Sequence, residues 1–168
     1  IIGLVVLGVV LLLVFSLVGN YNTMVTSREN VDTEMANVDV YLQRRADLIP
    51  NLVSTVKGYA QHEEKVIDSI TSARENLLAA KSVEDKANAN QELTNAISAL
   101  MVVVENYPDL KANTNFINLQ DELAGTENRI ATARRDYNSA VKEYNTLIVK
   151  FPNNIIASMF NFSKADYF

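Results

Sequence analysis

Cysteine is absent from the 168-residue sequence, and histidine occurs once, at His62. The first absence excludes disulfides, thiolate metal sites and cysteine nucleophiles. The second leaves little room for imidazole chemistry. Charge is also missing, but only locally: residues 1–19 contain no Lys, Arg, Asp or Glu, and all 15 basic and 20 acidic residues lie beyond them. Basic clusters are scarce, since Arg44-Arg45 and Arg134-Arg135 are the only adjacent pairs and the net charge is −5. A phosphate footprint needs a basic patch, so nucleic acid is not an expected partner. Without a nucleophile–base pair, a phosphate loop or a metal quartet, neither an enzyme nor a bound cofactor is expected.

What the uncharged stretch does have is length. As a helix, Ile1 to Gly19 rises roughly 28 Å, close to the ~30 Å hydrocarbon core of a bilayer. The apolar region of a cleaved secretory signal is shorter and ends at a small-residue site, whereas here the run passes through Asn20-Tyr21-Asn22 into a helical pattern. A single-pass N-terminal anchor over 1–20 is therefore expected, with the lipid bilayer as a partner. Arg28 is the only cation before Arg44, and this cation-poor flank favours a bundle outside the cytoplasm. Gly3 and Gly8 are five apart, so they do not form the GxxxG spacing that packs two anchors closely.

Beyond the anchor, apolar residues recur at alternating steps of three and four, the seam of a helix in a bundle. Phe116, Leu119, Leu123, Thr126, Ile130, Ala133, Tyr137, Ala140, Tyr144, Leu147 and Phe151 keep the rhythm longest. Shorter seams begin at Val25, Val56 and Ala89. Pro50 suits the first position of a helix, Ser82-x-x-Asp85 resembles a capping box, and Pro108 and Pro152 end helices. These signals predict an all-α fold: an N-terminal transmembrane helix followed by an antiparallel up-and-down four-helix bundle over 21–151. The helices are expected at 21–47, 50–81, 83–107 and 113–151, with an apolar tail over 152–168.

In that topology two turns meet at the tip farthest from the membrane, roughly 40 Å out for a 27-residue first helix. One carries Arg44, Arg45 and Asp47; the other carries Tyr107, Asp109 and Lys111. Helix capping accounts for the two aspartates, and a partner-docking tip is the functional alternative. The C-terminus returns toward the lipid. Ile155, Ile156, Met159, Phe160, Phe162, Tyr167 and Phe168 are then expected to cap the bundle and to touch the membrane interface or a neighbouring subunit.

Polar residues inside the pattern have bland and sharp readings. His62 with Glu63 and Glu64 is not a di-metal motif, which needs Glu-x-x-His on two helices. Glu63 falls on a seam, where Arg45 or Arg134 is the expected partner. Glu127, Arg134, Asn138 and Asn145 share one face of the last helix. They form either a network that aligns helices or a polar ligand groove.

The stretches Val40-Tyr-Leu-Gln-Arg-Arg-Ala-Asp-Leu-Ile-Pro-Asn-Leu-Val53, Val56-Lys-Gly-Tyr-Ala60 with His62-Glu63, Glu105-Asn-Tyr-Pro-Asp-Leu-Lys-Ala-Asn113, Thr126-Glu-Asn-Arg-Ile130, Arg134-Arg-Asp-Tyr-Asn138, Tyr144-Asn145 and Phe151-Pro-Asn-Asn154 occur in this order. Together they resemble the LemA family of bacterial membrane proteins. The resemblance implies a single anchor with a four-helix bundle and no established catalytic activity. One branch, the magnetosome-associated relatives, is linked to membrane invagination. The function expected is a noncatalytic scaffold that self-assembles as a homo-oligomer and organises or remodels the membrane. The alternative is an adaptor or ligand sensor that binds a membrane or extracytoplasmic protein, or a small molecule, at the distal turns.

Overall fold

The computed structural model describes residues 1–168, and every regular element in it is helical. The first helix, α1, runs unbroken from Ile2 to Lys57. It is followed by α2 (Glu64–Ala79), α3 (Val83–Val104), a single turn α4 (Pro108–Lys111), α5 (Thr114–Val149) and the short α6 (Asn153–Met159). The apolar run is the free first third of α1. It is long and apolar enough to cross a membrane, and none of it is buried against the rest of the chain.

Past that run, α1 and α5 lie antiparallel along their whole shared length. Some 36 residues of α5 rise about 54 Å, and the part of α1 beyond the apolar run matches this height. Their seams bury Met24, Val31, Val38, Leu42, Ala46, Ile49, Leu52 and Val56 of α1 against Phe116, Leu119, Leu123, Ile130, Ala133, Tyr137, Ala140, Tyr144 and Ile148 of α5. The three–four rhythm read in the sequence is the buried face of α5 as far as Tyr144. Phe151, the last residue of that rhythm, is 80% exposed because α5 has already ended.

The other two long helices are shorter, about 24 Å for α2 and about 33 Å for α3. They form a hairpin on the distal part of the α1–α5 pair. Ser82 caps α3 by accepting from the Asp85 amide at 3.0 Å, and Lys86 reaches Asp39 of α1 at 2.8 Å. The hairpin thus ends level with Asp39, and the pair between there and the apolar run is covered by the C-terminal segment instead.

Two expected boundaries are corrected. The first helix does not stop at 47, and the second does not start at Pro50; the break falls at residues 58–63. Proline inside a helix removes one N–H and leaves the carbonyl four residues back without a partner. Here that carbonyl belongs to Ala46, and Arg74 Nε of α2 donates to it at 2.9 Å. A guanidinium from the neighbouring helix replaces the missing amide, and α1 continues.

This substitution is testable as a cycle. Arg74→Ala leaves a buried carbonyl unsatisfied and should destabilise the fold by about 1–3 kcal/mol. In a Pro50→Ala background, where residue 50 regains its N–H, the same change should cost much less. Equal costs in chemical unfolding of the two backgrounds would refute the replacement.

Candidate functional site

The continuity of α1 moves the first expected turn. Arg44, Arg45 and Asp47 lie mid-helix, about 15–20 Å short of the distal end, so they do not form a tip with Tyr107, Asp109 and Lys111. Arg44 is exposed, and Asp47 accepts from Gln43 Nε2 one turn away at 2.9 Å. Arg45 is buried in the core, where its guanidinium donates to the Asn90 side chain and carbonyl. Burial lowers its pKa, and the charge of Glu127 opposes that shift. Glu63 pairs with neither Arg45 nor Arg134; Tyr107 Oη donates to it at 3.0 Å, which raises the tyrosine pKa.

The true distal tip is therefore the 58–63 turn with α4. Asn113 caps α5 and donates to Tyr59 Oη, while Lys111 pairs with Glu105 at 2.8 Å. Asp109 stands exposed in the first turn of α4. No group of three His, Asp or Glu side chains is placed to hold one metal ion.

A more elaborate arrangement lies toward the apolar run. After α5 the chain reverses, forms α6 and reaches Asn161, the one non-glycine residue with positive φ, at 58°. Asparagine tolerates this left-handed conformation, and the Phe162 amide closes the helix by donating to the Ala157 carbonyl at 2.9 Å. Residues 162–168 then run back up α5 without regular secondary structure.

Its main chain is read by α5 side chains. Asn145 accepts from the Ala165 amide at 2.8 Å and donates to the Ala165 carbonyl at 3.0 Å. Asn138 does the same for Phe168, at 2.9 and 3.2 Å. Tyr144 Oη donates to the Ser163 carbonyl at 2.9 Å, Tyr137 Oη to that of Asp166 at 2.7 Å, and Arg134 Nε to that of Phe168 at 3.0 Å.

The spacing has a metric cause. Seven helical residues rise about 10.5 Å and three extended residues about 10 Å, so asparagines one heptad apart grip backbone groups three residues apart. Ordering residues 163–168 costs about 1–2 kcal/mol each, comparable to the whole gain from the hydrogen bonds at about 1 kcal/mol apiece. Buried Phe162 and Phe168 supply the remainder, under the guanidiniums of Arg28 at 4.5 Å and Arg134 at 5.7 Å.

Of the polar face expected on the last helix, Arg134, Asn138 and Asn145 come together here, and Glu127 does not. Tyr137 and Tyr144 were legible only as seam residues. The missed signal is the dipeptide Tyr-Asn repeated at a seven-residue interval, 137–138 and 144–145, which sets a buried phenol beside a half-buried amide twice on one face.

The apolar tail also divides. Ile156, Phe162 and Phe168 are buried within the chain, whereas Ile155, Met159, Phe160 and Tyr167 are exposed. Phe160 packs on Tyr21 at 4.8 Å between ring centroids, and Tyr21 lies two residues past the apolar run. With Phe151, the exposed Ile155, Met159 and Phe160 on and beside α6 form a foot at the base of the bundle, whereas Tyr167 lies on the segment that runs back up α5. Nearby, a separate open groove of about 910 Å³ between α1 and α5 is lined by polar residues such as Asn30, Ser139 and Lys142.

Burial pushes both clamp phenols above their ordinary value of 10.0; Asp166 and Asp32 add to the shift of Tyr137, while Arg28 opposes and Asp32 supports that of Tyr144. The folded state holds these protons more tightly than the unfolded chain does. Their contribution is therefore complete below pH 10 and lost as pH rises through 10 toward the raised values. Thermal stability should fall as pH rises above 10, with early release of the tail in hydrogen exchange. Tyr137→Phe with Tyr144→Phe should flatten that slope; a slope unchanged by both substitutions would count against the clamp.

Comparison with known proteins gives this arrangement a family. The model of the LemA family matches residues 34–168. Magnetosome protein MamQ 2 of Paramagnetospirillum magneticum is 31% identical over 91% of this chain and 66% of its own length. Magnetosome protein MamQ of Magnetospirillum gryphiswaldense is 25% identical over the same shares, and protein LemA of Metamycoplasma hominis is 24% identical over 85% of this chain and 66% of its own. The chain thus spans about two thirds of the length of these relatives. The family and the free apolar helix together make it a membrane protein.

Proposed function

Because this chain belongs to the LemA family, we propose that it is a noncatalytic, single-pass membrane scaffold whose bundles associate side by side and organise or bend the bilayer that holds them. The unbroken α1 carries this reading. A helix that passes from the apolar run into the bundle without a linker makes the tilt of the anchor the tilt of the bundle. Contacts between neighbouring bundles then set the angle between their anchors, and an angle repeated across a patch of membrane is curvature.

The foot supports the same reading. Aromatic and apolar side chains are favoured at the headgroup level, and Phe160 packs on Tyr21 just past the end of the apolar run. The cation-poor stretch after the run favours a bundle outside the cytoplasm. The relatives carrying a magnetosome name suit a role at a shaped membrane, and for this chain that role is part of the proposal. A recognition role for the distal tip has less support, since Tyr107, Lys111 and Asn113 are engaged with neighbouring groups.

Two measurements test the proposal. The full chain reconstituted in lipid should cross-link into species larger than one copy as its surface density rises; a chain strictly monomeric at the highest density would falsify the scaffold reading. The sequence has no tryptophan, so Phe160→Trp gives a single reporter. Its fluorescence should be quenched by lipids brominated near the headgroup, while that of Val102→Trp, exposed on the distal hairpin, should not. Equal accessibility of the two to an aqueous quencher would remove the foot from the membrane.

A further inference from the structure

The geometry points to a lipid site: we propose that the polar groove between α1 and α5, beside the apolar run, takes the headgroup of a phosphodiester lipid that carries a polyol, the chemistry of phosphatidylglycerol. This rests on the membrane-anchored part of the reading above and is independent of self-assembly.

The first ground is position. The α1 wall of the groove runs from Asn22 to Asn30, about 5 to 17 Å beyond Gly19 along the helix. A bilayer with ~30 Å of hydrocarbon is ~40–45 Å thick with its headgroups, which leaves a headgroup layer of about 5–8 Å on each side. With the apolar run in the hydrocarbon, the lower part of the groove lies at that height. Lys150 stands at the end of α5 beside this lower part, and Lys142 about 12 Å higher. The C-terminal segment leaves this flank open, because Asn138 and Asn145 hold it on the other one.

The second ground is a lining of groups without partners. The ion pairs of the chain are Lys86–Asp39 and Lys111–Glu105, so neither Lys142 nor Lys150 is neutralised by a carboxylate. Thr23 and Thr26 donate to carbonyls one turn back, at 3.0 and 2.9 Å, while no hydrogen bond within the chain takes up the side chains of Ser27, Asn30, Ser139 or Thr146. Lysine binds phosphate as a point charge, and hydroxyls and amides match the mixed donors and acceptors of a polyol.

Charge and size then select the ligand. Two lysines and Glu143 leave the groove one net positive charge. That balances the single negative charge of a phosphodiester and falls short of the roughly 1.5 to 2 charges of a free phosphate monoester at neutral pH. Glu143 is left to accept hydroxyl protons of the polyol. The volume of about 910 Å³ is within the roughly 300–1,000 Å³ of small-ligand sites and holds a polyol as well as the phosphate.

The test uses the full chain in phosphatidylcholine vesicles with and without phosphatidylglycerol. A brief pulse of a water-soluble amine-acylating reagent is read lysine by lysine by mass spectrometry. Lys164 is the internal control, being exposed at the same end of the bundle on the opposite flank, next to the Ala165 that Asn145 holds. Phosphatidylglycerol should protect Lys142 and Lys150 roughly fivefold or more relative to Lys164, the factor 1 + [L]/Kd at modest excess of lipid. Equal protection of all three lysines would reflect surface potential alone and overturn the site. Equivalent protection by soluble glycerol phosphate, added to phosphatidylcholine vesicles, would make the ligand a free phosphate and overturn its assignment to lipid.

A second measurement tests the polyol. Chain extracted in mild detergent from vesicles with equal amounts of phosphatidylglycerol and phosphatidylserine, which carry the same net charge, should retain the former roughly threefold over the latter. Lys142→Gln with Lys150→Gln should bring that ratio to one, whereas the same loss of charge at the distal Lys57 and Lys65 should leave it unchanged. Equal retention of the two lipids by wild type, or equal effects of the two double substitutions, would overturn the proposal. A chain that floats with the vesicles yet shows neither protection nor preference refutes the groove and leaves the anchor standing. One that floats with no vesicle removes the anchored reading and this one with it.

Discussion

Every other element depends on the antiparallel contact between α1 and α5. These are the only two helices that span the height of the bundle, and their seams supply most of the buried side chains. Since α2 and α3 cover only the distal part of this pair, the remaining stretch of apolar seam would face water without another partner. The C-terminal segment is that partner. Phe162 and Phe168 complete a core that the hairpin is too short to reach.

A long seam of similar side chains has a register problem, because a slip of one heptad preserves the apolar match. Polar contacts resist such slips. Arg45 is held by Asn90 across to α3, Arg74 by the Ala46 carbonyl, and Lys86 by Asp39. Arg45 buries a charge whose Nε has no partner, so it adds little stability and acts chiefly to penalise misalignment. The Tyr-Asn pairs serve likewise in the proximal half, since one residue of tail slippage would set Asn138 and Asn145 against groups of the wrong polarity or direction.

The helices were legible because burial has a period. Thr126 on the seam, Ser82 at a cap and the apolar run could each be read from local chemistry. Pro50 misled because a proline's effect depends on what satisfies the carbonyl four residues back, and Arg74 is 24 residues further along the chain. The distal tip failed for the same reason: moving one helix end by ten residues carries Arg44, Arg45 and Asp47 into the middle of a rod. The clamp was half legible. A shared face could be counted from Arg134, Asn138 and Asn145, but its occupant could not, because extended backbone recognised through its peptide groups leaves no side-chain signature.

The foot and the clamp are the two ends of one segment, and this links the base of the bundle, beside the apolar run, to the core. Phe160 is tied to Tyr21 beside the apolar run, and one residue later Asn161 turns the chain so that Phe162 enters the core under Arg28. A displacement of α6 must therefore be absorbed either at the Asn161 turn or by the hydrogen bonds above it. The helices on either side cannot take it up, because α1 and α5 are continuous and mutually packed. Compliance in the bundle is thus concentrated in the tail, the element whose hydrogen bonds to α5 all end on α5 side chains and whose ordering cost is of the same size as the hydrogen bonds that oppose it. In a molecule otherwise built as a rod, that is where a displacement at the base of the bundle can alter the surface above it.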